Sequence, residues 1–215
     1  MKLILFVLGF VILAYGTVNV YALPPLNAPT IAENYRIIFF HVPAAISSFL
    51  AFSVTFASSL AYLRKNKKNF DILAESSARF GFVMITAAIL SGSIWAKVAW
   101  GTYWHWDPRQ TFTLVLWFAF AAYIALRASI DDEVQKMKYS SVYSIFAFFS
   151  VPMTYFSSII FPSLHPTTSE LSFDFIRALF LIIMLLAFVL IFLSYLLLDY
   201  SIRKREVMLR TTTQL

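Results

Sequence analysis

The chain of 215 residues contains no cysteine. That absence excludes a disulfide framework, a thiolate metal site, an iron–sulfur cluster and a CxxC redox pair. It also excludes the CxxCH attachment motif, so the chain carries no thioether-linked haem. Glycine is scarce, with five residues at positions 9, 16, 81, 92 and 101. They are too scattered for a phosphate-cradling loop or a dinucleotide fingerprint. Charge is scarce too: Asp, Glu, Lys and Arg make up 13% of the residues, against about 25% in a soluble domain.

Apolar surface is what the chain has in excess. Hydrophobic residues make up 60%, and phenylalanine alone contributes 23 residues. One soluble core cannot hide that much, so the composition is that of an integral membrane protein. A helix crossing the hydrocarbon needs about 20 mostly apolar residues. Six segments qualify, at about 3–22, 36–63, 76–97, 111–127, 141–162 and 175–198. The expected fold is all-α: a bundle of six transmembrane helices forming a single membrane domain over 1–215. There is no internal repeat, and the linkers are too short to form a soluble domain. The first segment has a competing reading. Lys2, the apolar run and Val20-Tyr21-Ala22 resemble a secretory signal with its cleavage site, yet the run is also long enough to cross.

Lysine and arginine set the expected orientation. Thirteen of the 17 fall on one side (Lys2, Arg64, Lys65, Lys67, Lys68, Arg79, Arg127, Lys136, Lys138, Arg203, Lys204, Arg205 and Arg210). The other side holds Arg36, Lys97, Arg109 and Arg177. The richer side is assigned to the cytoplasm, with both termini there. The loops at about 23–35, 98–110 and 163–174 then face outward. The net charge of +6 is accounted for as cytoplasmic anchors in a lipid bilayer, with no nucleic-acid partner.

Candidate chemistry lies on the outer side, which carries all three histidines. His41 is six residues into the second span, roughly 9 Å along the helix from Tyr35. An imidazole at that depth needs a partner, because an unsatisfied polar group in hydrocarbon costs several kcal/mol. A metal, a haem iron or a hydrogen bond to a neighbouring helix would serve. Pro43 lacks an N–H, which deprives the Phe39 carbonyl of its usual donor and predicts a helix irregularity. His165 lies in Pro162-Ser163-Leu164-His165-Pro166, just past the fifth span. It reads either as a solvated loop residue or as a ligand held by restricted backbone.

The densest signal is the run from Trp95 to Thr111. Four of the five tryptophans fall between 95 and 106, with Tyr103 among them. An interfacial aromatic belt is one reading. The other is a flat amphipathic platform, in which indoles stack on a planar ligand and Arg109 pairs with its carboxylates. A porphyrin with propionates has that chemistry.

Trp100-Gly101-x-x-Trp104-x-Trp106-Asp107-x-Arg109-x-Thr111 resembles the tryptophan-rich WWD signature of haem-handling membrane proteins in cytochrome c biogenesis. Tyr35-Arg36-Ile37-Ile38-x-x-His41-Val42-Pro43-Ala44-Ala45 is similar to the second-span histidine segment of the CcmC type. Six spans in a short chain, with the motif between the third and fourth, also suit CcmC; the CcmF and CcsA types are longer. The resemblance runs from about 35 to 198 and is tight around 35–47 and 95–113. Pro108 and Gln110 depart from the CcmC pattern, and Asp107-Pro108 resembles the CcmF and CcsA versions.

This resemblance implies haem b with His41 and His165 as its two axial ligands. It implies that Trp100, Trp104, Trp106 and Asp107 hold the haem face and edge. The basic groups expected on the outer side, Arg36, Lys97, Arg109 and Arg177, are the candidates for pairing with propionates. His105 occupies a variable position of the motif and is expected to be exposed. The implied role is binding haem at the outer, periplasmic face of the cytoplasmic (inner) membrane and delivering it to a CcmE-type haem chaperone. The implied partners are the CcmA/CcmB ATP-binding transporter and the small CcmD. Such a chain is a haem-binding and haem-transfer protein rather than a stand-alone enzyme. The alternatives are a haem lyase of the CcmF or CcsA type, or a bis-histidine membrane cytochrome b.

At the other end, Glu75 and Arg79 are expected to pair four residues apart along a helix. Asp131-Asp132-Glu133 reads as a solvated loop.

Overall fold

A computed structural model describes residues 2–26, 31–165 and 173–212, and these contain helices and connections but no strand. The helices are α1 (Lys2–Ala22), α2 (Ile38–Lys65), α3 (Lys68–Trp100), α4 (Pro108–Ser129), α5 (Glu133–Phe148), α6 (Ser150–Ile160) and α7 (Phe175–Thr212). A 3-10 turn, Asn34–Ile37, leads into α2. With α5 and α6 taken together, six helical stretches are long and apolar enough to cross a membrane. The protein is a multi-pass membrane protein.

Two prolines act differently from one another. The fifth expected span is two helices, broken at Phe149. Pro152 cannot donate to the Phe148 carbonyl, and its ring crowds that carbonyl. The chain tightens there, with the Phe149 N–H bonding to Phe146 O at 3.1 Å. Pro43 makes no such break: α2 runs unbroken from Ile38 to Lys65. Pro43 lies inside α2, and the helix continues through it although the Phe39 carbonyl loses its donor.

The helices run further than the apolar segments. Charged turns at the ends of α3, α4 and α7 continue the hydrogen-bonded ladder and pair with one another, as described below. α1 packs along α7. Gly9 and Gly16 lie two turns apart on the contact face, where a Cβ would come within 2.9 Å of Ile191 and 2.6 Å of Met184. The central core sits between α2, α3 and α4, with the Phe52 and Phe120 rings stacked at 3.6 Å between centroids. Ile85, Leu116 and Tyr123 join that cluster.

Successive spans alternate in direction. The start of α2, the end of α3, the start of α4 and the end of α6 therefore gather at one end of the bundle. The start of α3, the end of α4, the start of α5 and the far part of α7 gather at the other.

Candidate ligand-binding site

A cavity of about 310 Å³ opens at the first of these ends. α2 contributes His41 and Phe49, α3 contributes Gly92, Trp95 and Trp100, and α4 contributes Arg109 and Thr113. Tyr155 and Ser158 of α6 close another side, and Trp104 and His165 come from the connections. The walls are mostly apolar, with a few polar groups converging, as ligand pockets generally are.

His41 is held by α3. Its Nδ1 lies 3.0 Å from the Ala88 carbonyl and 3.2 Å from Ser91 Oγ. A carbonyl can only accept, so Nδ1 carries the proton and Nε2 keeps its lone pair. That arrangement orients many metal-bound histidines. Gly92 makes room for the ring, since a Cβ there would lie 2.8 Å from His41 Cε1.

The α3–α4 connection carries Trp104 and Trp106. Gly101 ends α3 in the left-handed region, φ 86°, where glycine has no steric penalty. Trp104 lines the cavity with its Nε1 buried and without a hydrogen-bond partner among the described residues. Trp106 is 71% exposed and stands outside the lining, with a left-handed φ of 56° that tryptophan rarely adopts. His105 is exposed and its Nε2 lies 3.1 Å from Trp100 O.

Asp107 is buried but does not face the cavity. Its Oδ1 caps α4, accepting from the Arg109 N–H at 2.9 Å, with Pro108 at the first helical position. Its Oδ2 accepts from Ser163 Oγ and the Leu164 N–H, both at 2.7 Å. One carboxylate thus joins the start of α4 to the segment that carries His165. The fourth site element is that histidine. Arg109 Nη1 lies 3.1 Å from His165 Nδ1, Arg109 Nη2 donates to Tyr155 O at 3.1 Å, and the Trp100 ring stands edge-on to His165 at 6.5 Å.

Of the four cations on this side, Arg109 alone lines the cavity. Arg36 is buried against the Val20, Leu23 and Glu33 carbonyls and the Glu33 carboxylate. Arg177 pairs with Asp174 and donates to Pro24 O at 2.7 Å. Lys97 Nζ donates to Gly101 O at 2.8 Å. Those three tie down the connections. Pro166 and residues 167–172 lie outside the described residues.

Sequence reasoning passed over several contributors: Gly92, the Ala88 carbonyl, Ser158, and the role of Asp107 as a cap. Two signals were present. Gly92 stands between two serines inside an apolar span, and Asp107-Pro108 before an apolar run is a helix-start pattern. The donor set suits a planar metal complex bearing carboxylates. An imidazole with a lone pair, indole faces, a guanidinium without an acidic partner among the described residues, and the buried unpaired Trp104 Nε1 and Ser158 Oγ share one cavity.

Known proteins share this stretch. A family model described as cytochrome C assembly protein matches residues 1–165, which include every helix that lines the cavity. Heme exporter protein C of Bradyrhizobium diazoefficiens is 28% identical over 214 residues, covering 94% of this chain and 80% of that protein. Heme exporter protein C of Escherichia coli is 30% identical over 139 residues, 65% of this chain and 57% of the relative. The cytochrome c biogenesis protein CcsA of Cyanidium caldarium is 39% identical over 88 residues, 40% of this chain and 29% of the relative. In the last two comparisons the chain spans less than two thirds of the relative's length.

Proposed function

We propose a function from one premise: the chain belongs to the cytochrome c assembly protein family. It handles haem for cytochrome c maturation, taking haem b as cargo into the cavity between α2, α3, α4 and α6. It then hands the haem to a CcmE-type chaperone on the outer, periplasmic side of the inner membrane. CcmA/CcmB and CcmD are the partners of this reading, with ATP acting in trans. The thirteen-to-four distribution of basic residues supports the orientation.

One observation carries the proposal. His41 and His165 stand far apart in the chain, yet line the same cavity as Trp100, Trp104 and Arg109. In this reading His41 is the fixed ligand, its Nε2 set by the Ala88 carbonyl. His165 is the second ligand, carried on a loop. Trp100 and Trp104 bear on the macrocycle, Arg109 meets a propionate, and Asp107 positions the His165 segment. Iron supplies the coordination that holds the cargo. The protein excludes water from one face, orients the carboxylates and lets go from the loop side.

Transfer is tested by loading the purified full chain with haem and mixing it with a CcmE-type acceptor. The expected result is haem on the acceptor, lost when His41→Ala or His165→Ala replaces the parent. Haem binding without transfer would contradict delivery but not binding.

A further inference from the structure

Arg109 and His165 set a condition on the second ligand. Arginine has donors only, so at 3.1 Å the guanidinium donates to the lone pair of His165 Nδ1. A neutral imidazole bonded that way carries its proton on Nε2. Neither ring nitrogen then offers a lone pair to a metal. His41 is in the opposite state, with the proton on Nδ1 fixed by the Ala88 carbonyl and Nε2 available. Arg109 also has no carboxylate within ion-pair distance among the described residues, whereas Arg36 and Arg177 have Glu33 and Asp174. A half-buried guanidinium with no carboxylate in reach among the described residues is the natural mate of a ligand carboxylate.

We infer that Arg109 is a specificity gate: a ligand carboxylate draws its guanidinium off His165, and only then can His165 coordinate the metal of that ligand. The inference rests on the haem-binding reading above and deepens it by giving Arg109 control over when the second ligand engages. The proton balance is simple. As Arg109 turns to the carboxylate, His165 Nδ1 takes a proton from water and Nε2 gives one to water. The ring stays neutral, and Nε2 gains the lone pair for one bond to the metal. Loss of the carboxylate contact reverses the exchange, which would couple release of the loop ligand to withdrawal of the cargo's carboxylates. Tyr155 O holds Arg109 Nη2 at 3.1 Å and provides an anchor about which the guanidinium can shift.

The experiment uses the full chain in detergent with two probes, haem and haem dimethyl ester. Absorption and electron paramagnetic resonance spectra read the number of axial ligands. The parent is expected to give a six-coordinate spectrum with haem and a five-coordinate one with the ester, through His41. Arg109→Leu is expected to give a six-coordinate spectrum with the ester, and adding His165→Ala is expected to return it to five-coordinate. A parent that is six-coordinate with both probes overturns the gate while leaving the haem site standing. An Arg109→Leu chain that stays five-coordinate with the ester also overturns it. Ligation of neither probe by the parent overturns the gate together with the haem-binding reading. If Arg109→Leu does not fold, the two spectra of the parent still decide.

Discussion

The two ends of the bundle treat their arginines differently: carboxylates pair with those at one end, and none among the described residues pairs with Arg109 at the other. At the charged end, Arg127 forks onto Asp71 at 2.7 and 2.9 Å and reaches Glu75 at 2.9 Å. Glu75 also takes Arg79 and Arg203, each at 2.8 Å, and Arg203 pairs with Asp199 at 2.7 Å. The expected Glu75–Arg79 pair is thus one strand of a network joining α3, α4 and α7. Within that network only Arg127 Nε is buried without a partner. At the tryptophan end, Trp104 Nε1, Ser158 Oγ and Arg109 Nε have no partner among the described residues, beside an open cavity. Unmet donors are costly inside a protein. At the charged end carboxylates of the chain itself meet the arginines; at the tryptophan end the proposed ligand's carboxylates would meet Arg109.

Breaking the charged end should have the largest effect. Arg127→Ala strands the buried Asp71 carboxylate, while Glu75 keeps Arg79 and Arg203, and should cost about 3–5 kcal/mol. Thermal unfolding in detergent would show this, with the haem spectrum of the folded fraction unchanged. If the spectrum changed as well, the two ends would not be independent. Asp107→Ala should come next. It removes a helix cap and the acceptor of Ser163 and Leu164, together about 2–3 kcal/mol. It should also weaken coordination by His165, which added imidazole would restore.

Gly92→Ala sharpens the comparison at the cavity. Its methyl would meet His41 Cε1 at 2.8 Å, and overpacking of this kind costs about 1–3 kcal/mol. The expected readout is weaker haem binding with an altered axial-ligand spectrum, measured by titration. Trp106→Ala should have the smallest effect of the motif's tryptophans. Its side chain is 71% exposed and outside the lining, so stability should move by no more than about 0.5 kcal/mol. Haem titration should rank it below Trp100→Ala and Trp104→Ala.

Much of this molecule is legible in its sequence. Long apolar runs dictate spanning helices because the bilayer admits few other structures, and six such stretches are present. Proline was a poorer guide: Pro152 breaks a span and Pro43 does not. Asp131-Asp132-Glu133 is exposed as expected, yet it starts α5, with Asp132 Oδ1 accepting from the Gln135 N–H at 2.7 Å.

The candidate site was readable as residue types and unreadable as pairings. The tryptophan motif and the histidines stand out by rarity in an apolar chain. That the Ala88 carbonyl fixes the proton of His41 is a contact between residues 47 apart, with no local pattern to announce it. Arg36 and Arg177 looked like Arg109 in sequence. They differ because the end of α1 and the connection after it bring the Val20, Leu23 and Pro24 carbonyls to them.

The central claim is that one cavity presents His41 and His165 to the same ligand. Its most direct test is the axial coordination of haem bound to the full chain, in the parent, His41→Ala, His165→Ala and His105→Ala. The account predicts a six-coordinate bis-histidine spectrum in the parent and in His105→Ala, and loss of one axial ligand in each of the other two. An unchanged six-coordinate spectrum in either His41→Ala or His165→Ala would contradict it.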